Sequence, residues 1–353
     1  MRVEVNLVGV EAAQYAGRGP VRADMKRLTD NACRLEALGF DALMMPEAGH
    51  DPFLPLMVAA EHTTRVRLGT NVAIAFPRSP MVTAQIAWDL QRYSAGRFIL
   101  GLGTQVKGHN ERRYSTPWPA PPGPRLREYV QCLRAIFGTF QNGAEPQFFR
   151  GQHYQFTLIS PFFNPGPIEV PHVPIYVAAV NRYNCALAGE LCDGLRLHPL
   201  TGERYAREVV LPAVVAGADK AGRRRGDVEV VGMPFIATGR NSEEVRRSVA
   251  DVKQRISFYA STRTYHSVLQ HNGWGSLGLE LHEMSLQGRW QEMPGLISDD
   301  MVSEFAAVGT YEEIGRELRE RWESVFDAIH LDLPEHVTSD DATVKKIIAP
   351  LRG

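Results

Sequence analysis

Glu47 and His50 stand close together in the stretch Glu47-Ala48-Gly49-His50-Asp51-Pro52-Phe53. His109 follows Gly103-Thr104-Gln105-Val106-Lys107-Gly108, and His198 precedes Pro199. An imidazole titrates near neutrality, so His50 and His109 are candidates to pass a proton to a reacting atom, with Glu47 as a candidate acid or base, while His198 at the carboxyl end of a strand is a candidate site residue. Asp51 fits a helix cap better than catalysis, because Pro52 would then occupy the first helical position. Gly101 and Gly103 begin a dinucleotide-type fingerprint, but the third glycine, Gly108, comes two places late. The spacing fits instead a turn whose backbone approaches a flat ring or a phosphate closely. In Ala178-Ala179-Val180-Asn181-Arg182-Tyr183-Asn184 a strand runs into a helix, which presents N–H groups and a dipole to an anion. Arg182 would add a charge-assisted bond there, and Asn181 would tolerate a left-handed turn. Arg78 is open to two readings, a phosphate or carboxylate partner or plain solvation.

Other chemistries are excluded by pattern. The chain has no GxSxG elbow, no HExxH and no histidine set with metal-ligand spacing, so no metal is expected. Its four cysteines are spread without a CxxC pair, as in a reduced cytoplasmic protein. Cys185 and Cys192, seven apart, are expected on one face of a helix as buried thiols. The 353 residues carry a net charge of −1, which gives no electrostatic reason for a nucleic acid or membrane partner. No apolar run is long enough for a membrane span, and Met1–Val10 alternates in polarity rather than forming a signal-peptide core. A small-molecule substrate is the expected partner.

The elements that must position these residues alternate between short β-branched runs and amphipathic stretches, the pattern of parallel βα units. Strands are expected at Val3–Val10, Phe40–Met45, Val66–Ala75, Arg97–Leu102, Val173–Val180, Gly194–His198, Val228–Ala237 and Phe326–Leu333. Helices are expected from about Val21 to Leu38, stopped by Gly39, and then at Phe53–His62, Met81–Tyr93, Tyr183–Cys192, Glu203–Ala221, Ser242–Ala260 and Thr310–Ser324, with a closing helix at Asp340–Leu351. Eight strands predict one (β/α)₈ TIM-barrel domain over 1–353, with an insertion after strand four, about 105–172, and extra helices after strand seven, about 262–307. The insertion holds one helix (Leu126–Phe140), a hairpin-like piece (Phe148–Phe156) and a Pro-rich loop. Active sites of such barrels lie at the carboxyl ends of the strands, where the residues named above fall.

The stretches Glu47–Phe53, Leu68-Gly69-Thr70-Asn71-Val72, Arg78-Ser79-Pro80, Ser94-Ala95-Gly96-Arg97-Phe98-Ile99-Leu100-Gly101-Leu102-Gly103 and Pro161-Phe162-Phe163-Asn164-Pro165, together with His198-Pro199, carry a resemblance. The chain resembles the luciferase-like monooxygenase superfamily from residue 1 to about 335, and is similar to its actinobacterial F420-dependent oxidoreductases. The resemblance implies a pocket for coenzyme F420, or alternatively FMN, against strands three to five. It also implies a non-proline cis peptide at Asn71–Val72. Thr70, Asn71, Val72, Thr104, His109, the loop Ala179, Val180, Asn181 and Arg182, and His198 are the expected cofactor contacts. Relatives carry an acid–histidine pair after strand two; here Glu47 is followed by Ala48, and His50 is the substitute proton donor. The implied activity is hydride transfer between F420 and a small organic substrate. The alternatives are an FMN-dependent monooxygenase using O₂ and a cofactor-free binding protein. Trp118, Phe162, Phe163 and Trp274 are expected around the substrate, and the resemblance implies a homodimer.

Overall fold

A computed structural model describes residues 1–8, 25–118, 121–143 and 145–352. The ends of the expected first strand (residues 9–10), the start of the first helix (21–24) and Pro119 lie outside these residues. Eight parallel strands close a ring: β1 Arg2–Asn6, β2 Ala42–Met45, β3 Arg67–Thr70, β4 Phe98–Gly103, β5 Ile175–Ala178, β6 Gly194–Arg196, β7 Glu229–Gly232 and β8 Ala328–Leu331. Each pairs with the next, and β8 returns to β1 through Val3 opposite Ile329. The (β/α)₈ barrel expected from the alternating pattern is therefore the fold.

Alternation along each strand divides its side chains between two environments. Val3, Val5, Leu43, Leu68, Phe98, Leu100, Ile175, Val177, Leu195, Val230 and Ile329 are buried on the outer face, under the helices. The barrel axis is filled differently from the usual branched aliphatic layers. Arg196 on β6 reaches across to Glu4 on β1 at 2.9 Å, with His330 of β8 beside them, all at 3% exposure or less. Nearer the amino ends, Glu229 binds Arg2, Arg67 and the Tyr176 hydroxyl.

The helices begin at the carboxyl rim and run back along the barrel. They include α1 Leu28–Leu38, α2 Phe53–His62, α3 Pro80–Tyr93, α4 Pro122–Gln141 and α5 Arg182–Leu191. Gly39 ends α1 at φ +95°, the left-handed stop expected of it. α4 is the longest, and although it falls in the expected insertion it packs between α3 and α5 as part of the helical ring. The segment from Glu203 to Lys220 contains a π turn at Ala206–Val210. Pro212 follows at once; it has no N–H for the Glu208 carbonyl, so the regular ladder is interrupted there.

Three boundaries differ from expectation. The third strand stops at Thr70, and Ala73–Ile74 pairs separately with the end of β4. The run Val228–Ala237 is two strands. β7 ends at Gly232, and Pro234, which cannot donate to a ladder, separates it from Phe235–Gly239. That second piece pairs in parallel with Ala306–Thr310, so the stretch 262–307 is helical only to Phe305. The helix Ser242–Ala260 crosses between the two strands, and this βαβ unit stands over the mouth of β7.

Candidate functional site

At the end of β3 the Asn71–Val72 peptide is cis, as the resemblance implied. Thr70 Oγ1 donates to the Gly101 carbonyl at 2.6 Å and accepts from the Gly101 N–H at 2.9 Å, so it pins β3 to β4. A Cβ on Gly101 would overlap the Thr70 carbonyl oxygen, and one on Gly103 would lie 2.7 Å from Val72 Cγ2. This corrects two expectations. The glycines admit the chain's own neighbouring strand rather than a ring or phosphate. Thr70 is fully buried with its hydroxyl engaged, so it positions the rim without facing a ligand. Asn71 and Val72 are half-buried and remain at the rim.

Glu47 leaves β2 and turns toward this bulge. Its Oε2 accepts from the Ile74 N–H and from Arg78 Nη1, both at 2.7 Å, and its Oε1 accepts from the Tyr114 hydroxyl at 3.4 Å. With a side chain only 7% exposed and three donors on it, Glu47 acts as a strap between the strand ends. Arg78 thus meets carboxylates of its own chain, Glu47 and, at 3.4 Å, Asp51. Asp51 Oδ1 accepts from the Phe53 and Leu54 N–H groups at 2.9 and 3.1 Å and caps α2, as its position before Pro52 predicted.

The two histidines expected at this part of the rim lie on the loops after β2 and β4. His50 is half-buried in the loop after β2, and His109 is exposed on the short helix Lys107–Arg112 after β4. The two segments are tied together, since Arg113 Nη2 donates to the Ala48 carbonyl at 2.6 Å. Thr104, the residue after β4, is half-buried, and its carbonyl accepts from Asn110 Nδ2 at 2.9 Å.

At the end of β5, Ala179 is buried and Val180 half-buried, its carbonyl accepting from the Tyr205 hydroxyl at 3.1 Å. Asn181 has φ −83°, so the expected left-handed turn is absent. Its Oδ1 instead accepts from the Asn184 N–H at 2.9 Å as the cap of α5. The first-turn N–H groups of a helix have no carbonyl four residues back. Arg182, the first residue of α5, is exposed and makes no ion pair among the described residues.

His198 lies past β6. Its Nδ1 accepts from the Leu200 N–H at 3.1 Å, and its ring packs on Tyr259 and Tyr265. Beside them Arg255 forms an ion pair with Asp332, just past β8. Tyr205, Tyr259, Tyr265, Arg255 and Asp332 were not singled out from the sequence. Only Asp332 carried a signal, as a polar residue at the carboxyl end of a barrel strand. The others come from helices whose approach to the rim no local pattern encodes.

The expected aromatic wall is not assembled. Trp118 stays near the rim, edge-on to Phe76 at 5.8 Å. Phe162 and Phe163 are 88% and 66% exposed, on a loop bound to Thr139 and Gln141 at the far end of α4. α4 starts at the rim and spans the barrel wall, so these rings lie at the opposite end from the site. Trp274 packs on Phe305. Cys185 lies within α5 and Cys192 just past its end; both are buried, and burial raises each thiol to about 12. Among the described residues no group of His, Cys, Asp and Glu could hold a metal ion.

Comparison with known proteins agrees with this geometry. The profile of the luciferase-like monooxygenases matches residues 1–328. The chain is 43% identical over 311 residues to the uncharacterized protein Rv1360 of Mycobacterium tuberculosis, covering 88% of this chain and 91% of that one. It is 32% identical over 220 residues to the F420-dependent glucose-6-phosphate dehydrogenase of Intrasporangium calvum, covering 58% and 63%. Among solved structures, the coenzyme F420-dependent tetrahydromethanopterin reductase of Methanopyrus kandleri superposes with a TM-score of 0.72 at 17% identity, covering 99% and 96%. With its closed eight-strand barrel and this match along nearly the whole chain, the protein belongs to the luciferase-like monooxygenase family, whose relatives include F420-dependent oxidoreductases.

Proposed function

We propose that this chain is an F420-dependent oxidoreductase acting on a small organic substrate. The observation that carries the proposal is the quarter of the rim between β3 and β5. There the half-buried Asn71–Val72 pair after β3 and the helix start at Arg182 after β5 stand on either side of β4, and Arg182 is an exposed cation with no ion-pair partner among the described residues. A flat ring with a phosphate-bearing tail needs both parts, an apolar backing surface and an anion site at a helix N-terminus. Asn71, Val72 and Thr104 would back the ring, and the Ala179–Arg182 loop would take the phosphate. F420, when bound, supplies a ring carbon that gives or takes hydride. The chain would hold that ring in place, with His50 or His109 carrying the accompanying proton.

The identity of the relatives supports F420 over FMN, since the dehydrogenase at 32% identity is F420-dependent by name. Parallel titrations with oxidised F420 and with FMN, followed by absorbance and fluorescence, test the proposal. Saturable F420 binding is expected. Tight FMN binding together with NADH-driven oxygen consumption would replace this reading by an FMN-dependent monooxygenase.

A further inference from the structure

None of the proton chemistry above uses His198, yet three segments lock its ring. Leu200 donates its N–H to Nδ1 at 3.1 Å. The Tyr265 ring stacks at 4.3 Å with 28° between planes, and the Tyr259 ring meets it edge-on at 4.3 Å. Tyr259 comes from the helix Ser242–Ala260 and Tyr265 from the turn Arg263–Tyr265. Among the described residues the charged groups nearby are Arg255 and its partner Asp332, with side chains 10% and 11% exposed. Burial, and after it the Arg255 charge, push the imidazole down to about 3, so it is neutral across the physiological range. A neutral imidazole whose Nδ1 accepts a hydrogen bond carries its hydrogen on Nε2. Among the described residues no group accepts from Nε2, and the residue as a whole is half-buried.

We propose that His198 is a fixed Nε2–H donor that binds the carbonyl or hydroxyl oxygen of an uncharged ligand in the mouth of β6 to β8. The substrate class rests on the oxidoreductase reading above: among the described residues this side of the rim offers tyrosine rings and the neutral His198 donor, and the Arg255 cation there is already paired with Asp332. Phosphorylated or carboxylate substrates find no unpaired positive charge there among the described residues. His198 also caps the turn Pro199–Thr201. Asparagine caps as well as any residue but is too short to place a donor where Nε2 stands, so His198→Asn separates the two roles.

The test uses the whole protein labelled with ¹⁵N in histidine, the His198 signals being those missing from His198→Asn. From about pH 5 to about pH 8 the signals should report the Nε2–H tautomer without titrating. A midpoint near the ordinary value of 6.5, or the opposite tautomer, would overturn the proposal. Cyclohexanone and glucose 6-phosphate then serve as uncharged and charged probes, each with and without F420. Cyclohexanone should shift the Nε2 resonance saturably, and His198→Asn, shown to be folded by an unchanged far-ultraviolet circular dichroism spectrum, should bind it about tenfold more weakly, as expected for one lost hydrogen bond. No response to cyclohexanone, or an equal response to glucose 6-phosphate, refutes the donor role. F420 binding is read separately: a cyclohexanone response without F420 binding keeps the donor and removes the cofactor reading, and F420 binding with a silent Nε2 does the reverse.

Discussion

Gly101→Ala places one methyl group where β3 and β4 are packed backbone to backbone. Its Cβ would overlap the Thr70 carbonyl oxygen, an atom that cannot rotate away. Overpacking of this kind costs about 1–3 kcal/mol, and more where rigid backbone is the obstacle. The two Thr70–Gly101 hydrogen bonds would break as the strands part, adding roughly 1 kcal/mol each. A total loss of roughly 3–5 kcal/mol follows. With an unfolding entropy of about 0.7 kcal/mol/K for a chain of 353 residues, the melting temperature should fall by about 4–7 °C. Gly226→Ala is the matched control, since its Cβ meets nothing within 4 Å and its φ lies outside the left-handed region. It should leave stability unchanged or raise it by up to about 1 kcal/mol. Differential scanning calorimetry on both variants measures the difference. If Gly101→Ala melts within about 1 °C of the parent, the glycines do not exist to admit the neighbouring strand, and their role as a ligand-facing turn must be restored.

Arg196→Met should destabilise the protein by about 3–5 kcal/mol, because it leaves the Glu4 carboxylate buried without its partner. Burial alone would raise Glu4, but Arg196 and His330 outweigh it and hold the carboxyl at about 2 against an ordinary 4.5. Its contribution to stability is therefore full above 4.5 and is lost as pH falls from there through about 2, and the gap between parent and variant in urea melts should narrow over that window. Arg182→Ala should weaken F420 binding about tenfold and flatten its salt dependence while leaving the melting temperature unchanged; equal affinity in a fluorescence titration would move the anion site elsewhere. A thiol reagent under native conditions should modify Cys33 alone, since Cys132, Cys185 and Cys192 are buried and raised to about 11 to 12, and all four after denaturation.

The sequence by itself determined the eight strands and their order, because each strand is a short apolar run between amphipathic helices and parallel βα units close in only a few ways. It also determined Gly39 as the stop of α1 and Asp51 as the cap of α2, whose partners lie within four residues. Only the tertiary structure decided what the site residues do. Thr70 and Gly101, 31 positions apart, turned out to be each other's partners, and Glu47 was claimed by Ile74 and Arg78, 27 and 31 positions away. Phe162 and Phe163 were carried to the far end of the barrel by the length of α4, while Arg255 and Tyr259 were brought to His198 by the helix Ser242–Ala260 and Tyr265 by the turn after it, a meeting that local pattern leaves unplaced. A strand or a cap is set by contacts the chain makes with its own near neighbours. A site is set by which strand ends and helices meet around the rim, and that depends on packing between residues that no spacing relates.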